Sequence, residues 1–196
     1  MAPFEYLIAF VAVVLGLAIT HPLASLLKIV EQRDTARWDW IPIVWTYSLL
    51  VWTVLFWWFT YSRADFRADE IHVLHLFYVL GYAGAIYVCL GLLYPYSVAP
   101  AHDMRAHFTK NRPLFFTALL ILGAFDLGDT AWSTINSGGV PFAGYWLTAV
   151  VWFGGSIAAL KTENRTFHAA FAILFAVAAT TLTVLDPSLE GVRTLQ

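Results

Sequence analysis

Long apolar blocks and short polar connections alternate along the chain. A helix needs about 20 apolar residues to cross a bilayer. Six blocks approach or exceed that length, over residues 4–30, 40–61, 71–98, 113–132, 140–160 and 166–185. The apolar residues fill these blocks instead of forming one stripe, which is typical of helices surrounded by lipid or by other helices. The pattern predicts an all-α bundle of about six transmembrane helices in a single transmembrane domain, residues 1–196.

The composition excludes an ordinary soluble domain. Hydrophobic residues make up 60% of the chain and charged residues only 12%, against about 45–50% and about 25% in soluble domains. The net charge of −2 indicates no basic surface for nucleic acid. Cys89 is the only cysteine, so it cannot form a disulfide within the chain. We expect the lipid bilayer to be the main partner.

The basic residues are distributed unevenly between the two sides of the predicted membrane. The first, third and fifth connections and the span ends beside them carry Lys28, Arg33, Arg37, Arg105, Lys110, Arg112, Lys161 and Arg165. The opposite side carries Arg63, Arg67 and Arg193. Basic loops stay in the cytoplasm. The asymmetry therefore predicts that both termini face outward.

Two acidic residues within the fourth block are the main functional candidates. Asp126 lies near mid-depth and Asp129 three residues later, so a helix places both on one face. Ionisable groups at membrane depth are costly and mark ion or proton pathways. The functional interpretation is a cation site or a proton relay. The alternative is that Asp129 lies at the interface and Asp126 is a hydrogen-bonded packing residue.

Histidines and one glutamate supply further pathway candidates. His72 and His75 begin the third span, and Tyr82 follows His75 by seven residues, near the same helix face. This line predicts either a proton path or headgroup and packing contacts. Glu5 begins the first span on the same outer side.

His21 lies in the inner half of the first span, directly before Pro22. Proline tends to kink a helix because it removes a backbone donor. The pair predicts either a hinge beside a polar pocket or a structural kink. His21 and His168 are the only plausible inner pair for a haem, and no dense ligand motif indicates a metal. We predict no metal, and the cofactor is unknown.

The second span is unusually aromatic. Trp45 and Trp52 lie deep within it, away from the interfacial belts in which tryptophan is enriched. With Tyr82, they either line a groove for a lipid, quinone or pigment or pack as ordinary core residues.

Three short motifs resemble a group of small uncharacterised multi-pass proteins of the bacterial inner membrane. They are Phe4-Glu5-Tyr6, the segment from Leu15 to His21, and Phe56-Trp57-Trp58. Pro22 departs from the aliphatic residue expected after His21. The resemblance implies a location in the bacterial inner membrane and no particular activity.

The leading hypothesis is a small channel or transporter, homo-oligomeric, that passes protons or a small ion. The pathway candidates are Asp126, Asp129, His75, His72, Glu5 and His21. One alternative is an interaction or sensor protein that binds a lipid, a quinone or a partner helix. A second alternative is a haem- or quinone-linked redox subunit. An enzyme is less favoured, because the chain lacks a nucleophile elbow and a phosphate loop.

Overall fold

The computed structural model describes residues 3–32, 34, 37–62, 73–96, 103–137 and 143–185. Six helices cover most of these ranges: α1 (Pro3–Glu31), α2 (Trp40–Ser62), α3 (Val73–Leu93), α4 (Met104–Ser137), α5 (Ala143–Lys161) and α6 (Arg165–Leu185). The described ranges contain no β-strand, only one isolated bridge between Arg37 and Asp103. The predicted all-α fold with six helices is therefore confirmed.

Five of the helices are long and apolar enough to cross a membrane. Within the described residues these are α1, α2, α3, α4 and α6. The chain is thus a membrane protein. Helix α5 has 19 residues, which corresponds to about 28 Å at a rise of 1.5 Å per residue. This length is close to the hydrocarbon thickness of about 30 Å, so a sixth span stays a prediction.

Helix α4 begins at Met104, well before the predicted start of the fourth span at residue 113. Met104, Phe108 and Arg112 recur every four residues and are buried, so this polar segment has one face that packs against the bundle. Asp103 caps the helix, because its Oδ1 accepts a hydrogen bond from the Ala106 amide at 2.9 Å. The helix continues through Pro113, which lies on an exposed face.

The order of the helices around the bundle differs from their order in the chain. Helices α3, α4, α5, α6 and α2 form a ring in that sequence, and α2 closes the ring against α3. Helix α1 packs outside the ring, against α3 and α2. We call the end at which α2, α4 and α6 begin the basic end, because most of the described lysines and arginines lie there.

Aromatic side chains fill the half of the ring nearer the basic end. Trp45 is fully buried, with its ring centroid 5.2–5.7 Å from the centroids of four phenylalanine rings, those of Phe115, Phe116, Phe171 and Phe175. We call these five residues the aromatic core. Gly155 of α5 allows the close approach of α6, because a Cβ at this position would lie 2.2 Å from the Phe171 ring. Such interdigitated contacts, rather than exclusion of water, hold helices together in a bilayer.

Ion pairs join helices at the basic end. Asp39 caps α2 through the Ile41 amide at 3.1 Å, and its two carboxylate oxygens accept hydrogen bonds from Arg165 at 2.8 and 3.0 Å. The buried Arg112 donates to the Thr162 carbonyl at 2.6 Å. The starts of α2 and α6 are therefore joined to each other, and α4 is joined to the connection between α5 and α6.

Candidate functional site

Asp126 lies between two tyrosines from neighbouring helices. The Tyr82 hydroxyl of α3 donates to Asp126 Oδ1 at 2.7 Å, and the Tyr145 hydroxyl of α5 donates to Oδ2 at 3.0 Å. A carboxylate is stabilised by such charge-assisted hydrogen bonds. We call Asp126, Tyr82, Tyr145 and Trp52 the tyrosine–aspartate site.

The Tyr82 arm of the site is buried and held from several directions. Trp52 Nε1 donates to the Tyr82 hydroxyl oxygen at 3.0 Å, and the Phe56 ring lies 4.2 Å from the Tyr82 ring. Tyr82 is only 2% exposed. Because its oxygen accepts from Trp52, its one hydroxyl proton is directed to Asp126. A hydrogen-bonded chain thus crosses from α2 through α3 to α4.

The Tyr145 arm has a different environment. Tyr145 is half-buried near the start of α5, and its hydroxyl lies close enough to Thr130 of α4 for the two side chains to interact. Thr130 lies one turn beyond Asp126, away from the basic end. Tyr145 therefore has an alternative partner in Thr130. A threonine hydroxyl suits this role because it can both donate and accept a hydrogen bond.

Asp129 belongs to the surroundings of this site. It is half-buried and close enough to interact electrostatically with both Tyr82 and Tyr145. Its position three residues after Asp126 places it on the same side of α4 and further from the basic end. The two acidic residues therefore share one polar region.

Two glycines allow α3 and α4 to approach each other beside the site. A Cβ at Gly81 would lie 2.9 Å from the Phe125 ring, and a Cβ at Gly128 would lie 3.0 Å from the Tyr78 hydroxyl. Tyr78 also donates a hydrogen bond to the Phe125 carbonyl. This close contact places Tyr82 within reach of Asp126.

The other outer candidates have separate positions. His75 is half-buried in the first turn of α3, about 10 Å along the helix axis from Tyr82. His72 and the side chain of Glu5 lie outside the described residues. Of the predicted pathway candidates on the outer side, Asp129 and His75 are therefore the ones whose side chains the structure describes.

The inner histidine candidates lie in different parts of the molecule. The His21 ring on α1 is 4.5 Å from the Tyr96 ring, outside the helix ring. His168 on α6 stacks on Phe116 at 5.5 Å, and its Nε2 lies 3.0 Å from the Thr162 carbonyl. The two imidazoles therefore do not face each other as haem ligands would. Among the described residues, no three His, Cys, Asp or Glu side chains are grouped as metal ligands.

The two deep tryptophans of α2 have distinct contacts. Trp45 is enclosed by the aromatic core, whereas Trp52 donates to Tyr82 and lies 4.6 Å from the Trp152 ring. Trp152 Nε1 in turn donates to the Leu119 carbonyl at 2.8 Å. Sequence reasoning overlooked both Tyr145 and Trp152, because no spacing within α5 distinguishes them from interfacial or packing aromatic residues.

The chain matches no protein-family model, no curated protein and no solved structure. The resemblance of its opening motifs to small bacterial membrane proteins stays a prediction. The geometry around Asp126 is accordingly the basis for a functional proposal.

Proposed function

We propose that this protein is a small membrane transporter that passes protons, or a small cation, by way of Asp126. The observation that carries the proposal is the contact of this carboxylate with tyrosines from two neighbouring helices. An ionisable residue inside a membrane span is costly, and it is commonly retained where it serves an ion or proton pathway.

The two tyrosines suit a group that changes its protonation state. A hydroxyl can donate to an ionised carboxylate and accept from a protonated one. Asp126 can therefore gain and lose a proton without leaving a buried polar atom unsatisfied. Asp129 adds negative charge on the side away from the basic end, which favours the approach of a cation from that side.

The aromatic core favours a transporter over an open channel. Phe116 precedes Asp126 by ten residues of α4, about 15 Å along the helix axis. Close-packed aromatic rings fill the bundle at that level, and a water-filled pore through the ring would require them to separate. We infer that Asp126 exchanges with one side at a time, starting from the side opposite the basic end.

The basic end supports an orientation of the bundle in the membrane, and the bacterial inner membrane is the location that the resemblance of the opening motifs implies. Basic loops are retained in the cytoplasm, so this end would face inward and the tyrosine–aspartate site would be reached from the periplasm. Accessibility of single introduced cysteines to a membrane-impermeant reagent tests this orientation. Labelling at Lys161→Cys in intact cells would contradict it.

Proton flux into proteoliposomes tests the proposal. We expect an imposed pH gradient to dissipate through the wild-type protein and the rate to fall at least roughly tenfold in Asp126→Asn, because an amide cannot exchange a proton as a carboxyl group does. Glu31→Gln is the matched control, since it removes an exposed carboxylate at the basic end. Equal flux in all three proteins would exclude passage by way of Asp126, and no flux in the wild type would exclude proton transport; in the second case sodium or potassium flux is measured likewise.

A second candidate function is an interaction protein that binds a partner helix, including that of a second copy. The outer face of α1 favours it, because Tyr6, Phe10, Val13 and Leu17 are each more than half exposed. This face is available to a neighbouring helix or to lipid. Mass measurement in nanodiscs tests it: a defined oligomer that is lost in Val13→Trp supports the partner role, and a monomer opposes self-association.

A further inference from the structure

We propose that Tyr145, and not Tyr82, carries protons to and from Asp126. This inference rests on the proposed function, in which Asp126 changes its protonation state. It goes further by assigning different roles to two tyrosines that make superficially equivalent hydrogen bonds. Tyr82 is the positioning residue, and Tyr145 is the proton-carrying residue.

While Asp126 is ionised, the Tyr82 hydroxyl cannot exchange its hydrogen-bond partners. Its oxygen accepts from Trp52 Nε1 and its proton goes to Asp126 Oδ1. The indole nitrogen is a donor only, so Trp52 cannot take a proton that Tyr82 would release. The aromatic ring is also enclosed by Phe56 and Phe125. Among the residues that the structure describes, this series of hydrogen bonds ends at Trp52, which accepts no proton.

The Tyr145 hydroxyl has a second partner that can reverse its role. It donates to Asp126 Oδ2 and lies close enough to the Thr130 side chain to interact with it. A threonine hydroxyl donates one proton and accepts others. Tyr145 is only half-buried and lies near the start of α5, at the end of the bundle opposite the basic end. This arm therefore continues towards the aqueous side.

The transfer conserves protons and involves no oxidation. The Tyr145 O–H bond breaks as its proton moves to Asp126 Oδ2, and the phenol oxygen receives a proton from a hydronium ion, directly or through Thr130. The products are a neutral carboxylic acid, an intact phenol and water. The Asp126 hydroxyl then donates to the Tyr145 oxygen, while the Tyr145 hydroxyl donates towards Thr130.

The charged and titratable groups around Asp126 are consistent with proton transfer through Tyr145. Helix α3 contributes Tyr82 and Tyr78, helix α5 contributes Tyr145, and α4 itself contributes Asp129. Asp129 is the acidic group among these; it lies beyond Asp126, away from the basic end, and interacts electrostatically with both tyrosines. Its charge attracts a proton to the side of the site away from the basic end, where Tyr145 is only half-buried.

Time-resolved infrared spectroscopy after a pH jump tests the proposal on the full chain in nanodiscs. The carboxylic acid band of Asp126 is identified as the one that is missing in Asp126→Asn. In Tyr145→Phe we expect this band to appear at least roughly tenfold more slowly, because a proton carrier is lost. In the matched variant Tyr82→Phe we expect a rate within about threefold of the wild type and a shifted midpoint pH, since a hydrogen bond to the carboxylate is lost.

Several results would overturn the inference. These are equal slowing in the two variants, a larger slowing in Tyr82→Phe, or no Asp126 band at any pH at which the protein stays folded. Thr130→Val gives a second measurement that leaves both tyrosines in place, and we expect it to slow the band as well. If the Asp126 band titrates and is slowed more in Tyr145→Phe than in Tyr82→Phe, but proteoliposomes show no flux, the proposed transport function is wrong and the role of Tyr145 is retained.

Discussion

Carboxylates are held within the bundle in two contrasting ways. At the basic end, Asp39 has a side chain only 1% exposed and forms a two-point ion pair with Arg165. In the other half of the bundle, Asp126 accepts hydrogen bonds from the hydroxyls of Tyr82 and Tyr145.

The chemical difference between these donors explains the different roles that we assign. A guanidinium donates only and stays charged, so Arg165 stabilises only the ionised form of Asp39. A hydroxyl donates or accepts, so the tyrosines can satisfy Asp126 in either protonation state. The first arrangement holds helix ends together, whereas the second is suited to proton exchange.

The largest stability effect is expected from breaking the ion pair at the basic end. Arg165→Met leaves the carboxylate of Asp39 buried without its cation. We expect the free energy of unfolding in mixed micelles to fall by about 3 kcal/mol, at the lower end of the range for broken buried pairs, because Arg165 itself is partly exposed.

Lys161→Met is the matched control for this variant. It removes the same charge from an exposed position at the basic end, and we expect a change of about 0.5 kcal/mol or less. Equal losses in Arg165→Met and Lys161→Met would show that the ion pair contributes nothing specific.

A second variant tests whether the aromatic half of the ring is close-packed. In Gly155→Ala the new methyl group would lie 2.2 Å from the Phe171 ring, which Trp45 contacts at 5.2 Å between ring centroids. We expect a loss of about 1–3 kcal/mol in the free energy of unfolding, typical of overpacking.

Gly154→Ala provides a neighbouring control, because nothing lies within 4 Å of its added Cβ. Here the better helix propensity of alanine is expected to leave stability unchanged or raise it by up to about 1 kcal/mol. If Gly155→Ala and Gly154→Ala had the same free energy of unfolding, the aromatic half would be loosely packed. The reason for preferring a transporter to a channel would then be lost.

Among the test variants, as distinct from their controls, the smallest stability effect is expected at Asp126. An Asn at this position can accept from one tyrosine and donate to the other, so we expect Asp126→Asn to lower the free energy of unfolding by about 1 kcal/mol or less. Asp39→Asn is the comparison, and its loss should be at least twice as large because the ion pair is removed. A larger loss in Asp126→Asn would indicate that Asp126 is mainly a structural residue.

The positions of the six helices were predictable from the sequence because the signal is local. A run of apolar residues long enough for the hydrocarbon layer forms a helix wherever its neighbours lie. The boundaries were less predictable. Helix α4 begins at Met104 because Met104, Phe108 and Arg112 pack against other helices, and that contribution does not appear in a count of apolar residues.

The tyrosine–aspartate site was only partly predictable. Asp126 was identifiable alone, because a carboxyl group at membrane depth is unusual whatever surrounds it. Its link to Tyr82 and Tyr145 depends on the packing of α3 and α5 on either side of α4. Tyr145 carries no local signal, since aromatic residues occur throughout these helices.

By itself, then, the sequence determined the number of helices, the membrane as their solvent and the presence of one unusual carboxyl group. These properties depend on the free energy of placing a segment of the chain in hydrocarbon. Residues adjacent in the sequence determine that free energy together. Only the tertiary structure decided the order of the helices around the ring, the aromatic core and the partners of Asp126. Those properties depend on contacts between different helices, such as Gly81 with Phe125 and Gly155 with Phe171. Many arrangements of the helices are compatible with the same pattern of apolar residues, so that pattern does not determine these contacts.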